Sequence, residues 1–332
     1  MSFTRDQIIE FINDLIIEPR KHAVKWSNIT KQTAHLRVGY PGQHLASLVT
    51  GVEGQRTGAR GNDLSDGSEV KTCSRVDQLD KCNACGAAVL RTETECCACN
   101  SANIKRNNDS KWLFTIKSKD DLKTLIANPH LNRIVLVIDD YVNFDENDFN
   151  DIRIQVFEIY PKEERHRHFK EIMNNYYYKI YQEHKKLYPE KTPAPKNFWP
   201  YQYQFYLCNP ILIFEAIIKD AYTEDPKLIV KTWIQPQMDR TKIDSILMPA
   251  KILNYEEFET LLERATQKEI EENLIKDASY KDFELAVRRK QTSNHIAELF
   301  TGINEKLRAY LDLRDTDRIA SAKNKYERRR AI

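Results

Sequence analysis

The chain has 332 residues, 41% of them apolar and 30% charged, with a formal net charge of +2. This length allows two domains, or one large domain carrying an insertion, and the apolar share is enough for a real core. The charge balance excludes a histone-like polycation but neither requires nor excludes nucleic acid, because phosphate contacts need only a local basic face, and no run of about 18 apolar residues is present to cross a membrane.

Residues 1–6 show no apolar run behind a basic start, so no signal peptide is read there. Thr4 and Gln7 instead have capping-box spacing, which predicts a helix start, and Ile8, Ile9, Phe11, Ile12 and Leu15 continue at helical spacing over 4–17. A second helix is predicted over 42–54. Gly51, Gly54, Gly58 and Gly61 then make 51–67 a turn-rich segment. Strands are predicted at 68–73, 112–117, 133–139 and 151–159, with a helix at 119–128. The run from Arg133 to Ile138 is apolar and β-branched and reads as buried on both faces, whereas 151–157 alternates and reads as half-buried. From about 162 the pattern is mostly helical apart from 189–210, which is rich in Pro, Trp and Tyr. Its aromatic cluster at 198–206 reads more readily as packed core than as a groove-facing platform. Arg165, His166, Arg167 and His168, and then Arg288, Arg289 and Lys290, form basic patches that read as solvated faces, and Lys323 to Arg330 is a basic end.

Six of the seven cysteines fall between Cys73 and Cys99. Crowding of this kind fits metal binding in a reducing cytoplasm better than a disulfide framework. Cys82 and Cys85 form one C-x2-C pair and Cys96 and Cys99 a second, ten residues on. Each pair can turn two thiolates toward one tetrahedral ion, and Zn2+ suits four sulfurs at ~2.3 Å. A structural zinc ribbon is therefore expected, with 87–90 as one of its strands; Cys97 could stand in for Cys96, at poorer spacing. Cys73 and Cys208 read as ordinary buried thiols.

The segment 61–71 carries the chemistry. Asp66-Gly67 is a strong two-residue turn signal, so the segment is predicted to be a β-hairpin. Glu69 and Lys71 would share one face of its second arm, and Asp63 would lie across the turn. Two carboxylates can hold Mg2+, and a nearby ammonium can orient a water and offset charge building on a phosphate. The acid-x-Lys tripeptide alone is weak, since it recurs at Asp109–Lys111, Asp121–Lys123, Glu183–Lys185 and Asp225–Lys227. The hairpin, the upstream Asp63 and the preceding helix distinguish 69–71. Asp66 reads as a turn residue, and Glu53, at the end of that helix, offers a third carboxylate.

A helix ending in Glu53, glycine-rich residues, Asp63 and then Glu69-Val70-Lys71 resembles the PD-(D/E)XK nuclease superfamily. The longer strings His44 to Gly54 and Arg56 to Leu64, with the Glu-Val-Lys segment and the cysteine pairs, resemble the MamI-type type II restriction endonucleases, with the match concentrated in roughly 40–120. The resemblance implies an α/β (α+β) fold with a PD-(D/E)XK restriction-endonuclease-like core, its mixed sheet flanked by helices. It also implies Mg2+, double-stranded DNA as partner, usually a homodimer, and a restriction-modification setting. It places Asp63, Glu69 and Lys71 on the catalytic triad, with Glu53 as accessory acid. One departure is Asn62, where the superfamily usually has Pro before the first acid, so preferring Asp63 to Asp66 rests on geometry.

The expected organisation is a nuclease core over 1–160, a zinc-ribbon insertion at 80–104, and a mostly helical region over 161–332 for DNA recognition or dimerisation. Arg56 and Arg60 flank the site and are candidates for DNA phosphate contact, and Ser74, Arg75 and Gln78, which follow the catalytic strand, are candidates for reaching DNA. Two other classes stay open on the residues alone: a zinc-containing DNA-binding regulator without catalysis, and a nicking repair nuclease.

Overall fold

The computed structural model describes residues 3–56 and 62–315. Arg60, Gly58, Gly61 and the basic end 323–330 lie outside the described residues. In chain order the elements are α1 (Arg5–Ile12), α2 (Glu18–Thr30), α3 (Gly39–Thr50), β1 (Glu69–Ser74), β2 (Asp80–Cys82), β3 (Ala88–Val89), β4 (Ile104–Lys105), β5 (Trp112–Phe114), α4 (Lys119–Ile126), β6 (Ile134–Asn143) and β7 (Asp148–Ile159). They continue with α5 (Arg167–Asn175), α6 (Gln182–Leu187), β8 (Lys196–Phe198), α7 (Tyr203–Leu207), β9 (Ile211–Lys219), β10 (Lys227–Trp233), α8 (Tyr255–Arg264), α9 (Gln267–Glu271), α10 (Tyr280–Arg288), α11 (Ser293–Ala297) and α12 (Glu305–Arg308). Among the described residues no helix is long and apolar enough to cross a membrane.

Two compact units result. Met1–Trp112, Asn132–Glu158 and Leu212–Met238 form the first, and Leu113–Leu131, Ile159–Ile211 and Asp239–Ile332 the second. The first holds a five-stranded sheet in the order β1-β6-β7-β9-β10. β1 runs parallel to β6, Glu69 opposite Ile134 and Ser74 opposite Asp139, and β10 runs antiparallel to β9, so the sheet is mixed. The short link 144–147 makes β6 and β7 an antiparallel hairpin, since a parallel pair needs a longer crossover. β6 is buried from Ile134 through Tyr141: the apolar run to Ile138 is buried as predicted, and the burial continues over Asp139, Asp140 and Tyr141. β7 is more buried than its alternation suggests: from Asp151 to Ile159 every residue but Arg153 is buried, so both faces of this strand are covered. β9 and β10 correct the reading of the chain after about 162 as mostly helical apart from 189–210: Ile211–Lys219 largely alternates in burial, and Lys227–Trp233 has a period-2 pattern.

The first helix opens as its capping box predicts, Gln7 N donating to Thr4 Oγ1 (3.2 Å) and Thr4 N to Gln7 Oε1 (2.9 Å). The second predicted helix is displaced: α3 covers 39–50 and stops at Gly51, whose φ of 73° takes the chain out of the helix before Glu53. α3 buries Leu45, Ala46 and Val49 and packs on β1 and β6. Gly42 permits this approach, since a Cβ there would overlap the Thr72 hydroxyl and lie 2.7 Å from its methyl. Beneath the sheet, the buried Arg20 guanidinium pairs with Asp77 and lies 3.7 Å from Asp139, whose Oδ2 accepts from Ser74 Oγ at 2.7 Å. Removing one partner of such a buried pair costs about 3–5 kcal/mol.

In the second unit Phe114, Phe169, Phe198 and Phe205 pack edge to face; of the 198–206 aromatics Phe198, Tyr203, Phe205 and Tyr206 are core, while Trp199 and Tyr201 are half-buried. The patch at 165–168 is not a solvated basic face. His166 and His168 are buried, with ring nitrogens 2.8 Å from Cys208 O and from Glu171 Oε2, and Arg165 pairs with Glu305. Arg288, Arg289 and Lys290 do lie exposed at the end of α10, with Arg288 on Glu284.

Candidate active site and metal centre

The 61–71 segment is not a regular hairpin. The Asp66-Gly67 turn is present, Gly67 having φ 84° and Leu64 N donating to Ser68 O at 3.1 Å, but the ladder partner of β1 is β6. The residues before the turn pair back on the segment after α3: Gln55 N donates to Asp63 O (2.9 Å) and Ser65 N to Glu53 O (2.8 Å), around a bridge between Gly54 and Leu64. The physical reason is that a buried apolar strand offers β1 a longer ladder than three turn residues can.

The expected meeting of side chains nevertheless occurs. The Glu69 amide donates to Arg133 O on the β6 side, so alternation turns the next amide, that of Val70, to the opposite edge. There it donates to Asp63 Oδ2 at 2.8 Å. Asp63 Oδ1 accepts from Gln43 Nε2 of α3 at 2.6 Å. Lys71 Nζ forms an ion pair with Glu69 Oε1. Burial raises the Glu69 pKa above the ordinary carboxylate value; Lys71 opposes this and the charge of Asp63 adds to it. Asp63, Glu69 and Lys71 thus share one electrostatic environment.

Asp66 is committed elsewhere. Its Oδ1 accepts from Ser68 N (3.0 Å), and its Oδ2 accepts from Asn132 Nδ2 (2.7 Å) and Arg133 Nη2 (2.9 Å). Burial alone would raise its pKa, but the hydrogen bonds of Ser68 and Asn132 and the Arg133 charge hold it low. Arg133 also holds the fully buried Glu158 at 2.8 Å, tying the turn to β7.

Beside Asp63 opens a cleft of about 600 Å³. Tyr40, Gln43, His44 and Ser47 line it from one face of α3, and Glu53, Gln55 and Arg56 from the segment after that helix. Glu53 is exposed there, beyond the helix rather than at its end. Arg56 is exposed in the same wall. Ser74 and Arg75 are buried, the Ser74 hydroxyl going to Asp139, and neither is presented on a surface. Gln78 is half-buried and donates to Ser74 O at 3.2 Å. Gln43 escaped the sequence reading. Its only trace there is the split of α3 into Leu45, Ala46 and Val49 on one side and Tyr40, Gln43, His44 and Ser47 on the other.

The four expected thiols converge. One sulfur from each of Cys82, Cys85, Cys96 and Cys99 lies within 4.8 Å of the others, and Cys97, exposed, is outside the group. Two tight turns bring them together: Gly86 N donates to Cys82 O (2.9 Å) and Asn100 N to Cys96 O (2.8 Å). β2 carries β3 and β4 on its two sides, a small antiparallel ribbon. Four soft sulfurs on a ribbon this small suit Zn2+. Below them Asp80 holds Arg91 (3.0 Å) and Arg106 (2.8 Å). Arg91 lies over the rings of Tyr141, Phe144 and Phe149 at 4.8–5.4 Å, which docks the ribbon on the β6–β7 hairpin. Cys73 and Cys208 are buried thiols with pKa values pushed up by burial.

Residues 25–251, most of the chain, match the MamI restriction endonuclease family, and the chain belongs to it. It is similar to the type II restriction enzyme MamI of Microbacterium ammoniaphilum, with 34% identity over 84 residues. That similarity covers 24% of this chain and 27% of the relative. No solved structure matches the chain.

Proposed function

We propose that this protein is a type II restriction endonuclease that hydrolyses phosphodiester bonds of double-stranded DNA at a specific sequence, using Mg2+ and a PD-(D/E)XK site. The observation that carries the reading is the convergence of Asp63, Glu69 and Lys71, inside the span matched to the family. Asp63 and Glu69 would hold the Mg2+, for which an all-oxygen pair of carboxylates is the fitting donor set. When bound, the ion polarises the scissile phosphate and lowers the pKa of a water. Glu69 Oε2 accepts no hydrogen bond from the described residues, so Glu69 can serve Lys71 through one oxygen and a cation through the other. Lys71 orients the attacking water and offsets the charge gathering on the phosphoryl oxygens. As the water oxygen bonds to phosphorus, the bond from phosphorus to the sugar oxygen breaks. Glu53 lines the same cleft and serves as accessory acid, and Arg56 offers its charge to a neighbouring phosphate.

The protein works as a homodimer in a reducing cytoplasm, where the four ribbon thiols stay free for a structural Zn2+. Base recognition must come from residues other than Lys71, because a group at the phosphate carries no sequence information. Lys71→Ala should therefore lower plasmid cleavage in Mg2+ by ~10²–10³ or more, while gel shifts in Ca2+ retain specific binding. Glu183→Ala, in a decoy tripeptide whose acid pairs with exposed Lys186, should cut normally. Cleavage at wild-type rate by Lys71→Ala would refute the site.

A further inference from the structure

We infer that Gln43 is a positioning residue for Asp63, fixing that carboxylate in the attitude a divalent cation requires. The inference rests on the reading of Asp63 as a metal ligand. An ionised carboxylate has about four lone-pair sites and can rotate about its bond to the chain. Here each oxygen of Asp63 accepts one hydrogen bond, Oδ2 from the Val70 amide at 2.8 Å and Oδ1 from Gln43 Nε2 at 2.6 Å. Two donors on two oxygens define the carboxylate plane, and each oxygen keeps lone-pair capacity for a cation.

The two donors come from rigid and independent sources. The Val70 amide is fixed by the β1–β6 ladder. Gln43 is fixed because its neighbour Gly42 sits directly on Thr72 of β1, which locks α3 against the strand bearing Glu69 and Lys71. The chemical type also fits. A Lys or Arg at position 43 would orient Asp63 equally well but would repel a cation; an acid would give no hydrogen bond at neutral pH. A neutral amide orients without altering the charge of the site.

The test is calorimetric titration of the full, zinc-replete chain with Mn2+ in the absence of DNA, for wild type, Gln43→Met and Asp63→Asn, with a thermal melt of each. Gln43→Met keeps the side-chain length and loses the donor. Outer hydrogen-bond partners of metal ligands typically contribute 10–100-fold in metal affinity. Gln43→Met should weaken Mn2+ by about that factor without moving the melt, and excess Mg2+ should restore its cleavage. Should Gln43→Met misfold, Gln43→Ala, which only opens the cleft, takes its place. Unchanged Mn2+ affinity in a folded Gln43 variant, with Asp63→Asn unable to bind, overturns the role of Gln43 and spares the nuclease reading. Unchanged Mn2+ affinity in Asp63→Asn overturns the metal site itself, and the inference with it.

Discussion

His166 is fully buried and accepts its environment as a neutral ring. Burial lowers its pKa from 6.5 to about 4; the hydrogen bond to Cys208 O opposes the shift and Arg165 adds to it. The folded ring thus declines a proton that the unfolded chain takes up. Stability from this residue is complete above the ordinary histidine pKa and drains away as pH falls from about 6.5 to about 4. The loss should reach on the order of 2 kcal/mol by about pH 5, read from urea unfolding. An NMR titration placing His166 near the ordinary histidine pKa would contradict this. Glu69 and Lys71 were legible because strand alternation acts over a few residues; Asp63 joins them not across a hairpin ladder, as its spacing suggested, but through the free-edge amide of Val70. Gln43 was not legible, since no local rule links a helix side chain to a carboxylate twenty positions away. Nor was the burial of Ser74, which depends on Asp139 arriving opposite it.

The ribbon is the clearest case of an element written locally and docked globally. Its four thiols follow from two C-x2-C turns, but its seat depends on Arg91 and Arg106 sharing Asp80 and stacking on the aromatic hairpin of β6 and β7. Metal binding and folding are coupled in such small units. One Zn2+ per chain is expected by elemental analysis, and Cys82→Ser should lose it. Chelation should also open 82–105 to protease and loosen the hairpin under Arg91. Carefully purified protein without zinc would exclude the centre. The sheet was only half legible: the buried run of β6 announces itself, whereas β9 and β10 lie in a stretch whose helical surroundings hid their alternation. The early stop of α3 at Gly51 was hidden too, because the apolar spacing continues one residue past the point where the backbone turns left-handed.

At the scale of the whole molecule, cutting both strands of a symmetric site is simplest with two copies of one centre about a two-fold axis. Light scattering should therefore report a dimer, at least on DNA; a monomer, free and bound, that still makes double-strand breaks would contradict this. A different consequence follows from β1 being, among the described residues, the last strand on its side of the sheet. An edge strand offers its outward amides to any chain that drifts by, and proteins in solution must blunt such edges. In this molecule the outward amide of Val70 is already taken by a carboxylate. Asp63 therefore plugs the open edge with a negative charge, one of the devices that keep neighbouring sheets from zipping together. Replacing it with Ala would strip the plug as well as the acid, and such a variant would be prone to self-association. Asn leaves an oxygen on the Val70 amide and keeps the edge closed.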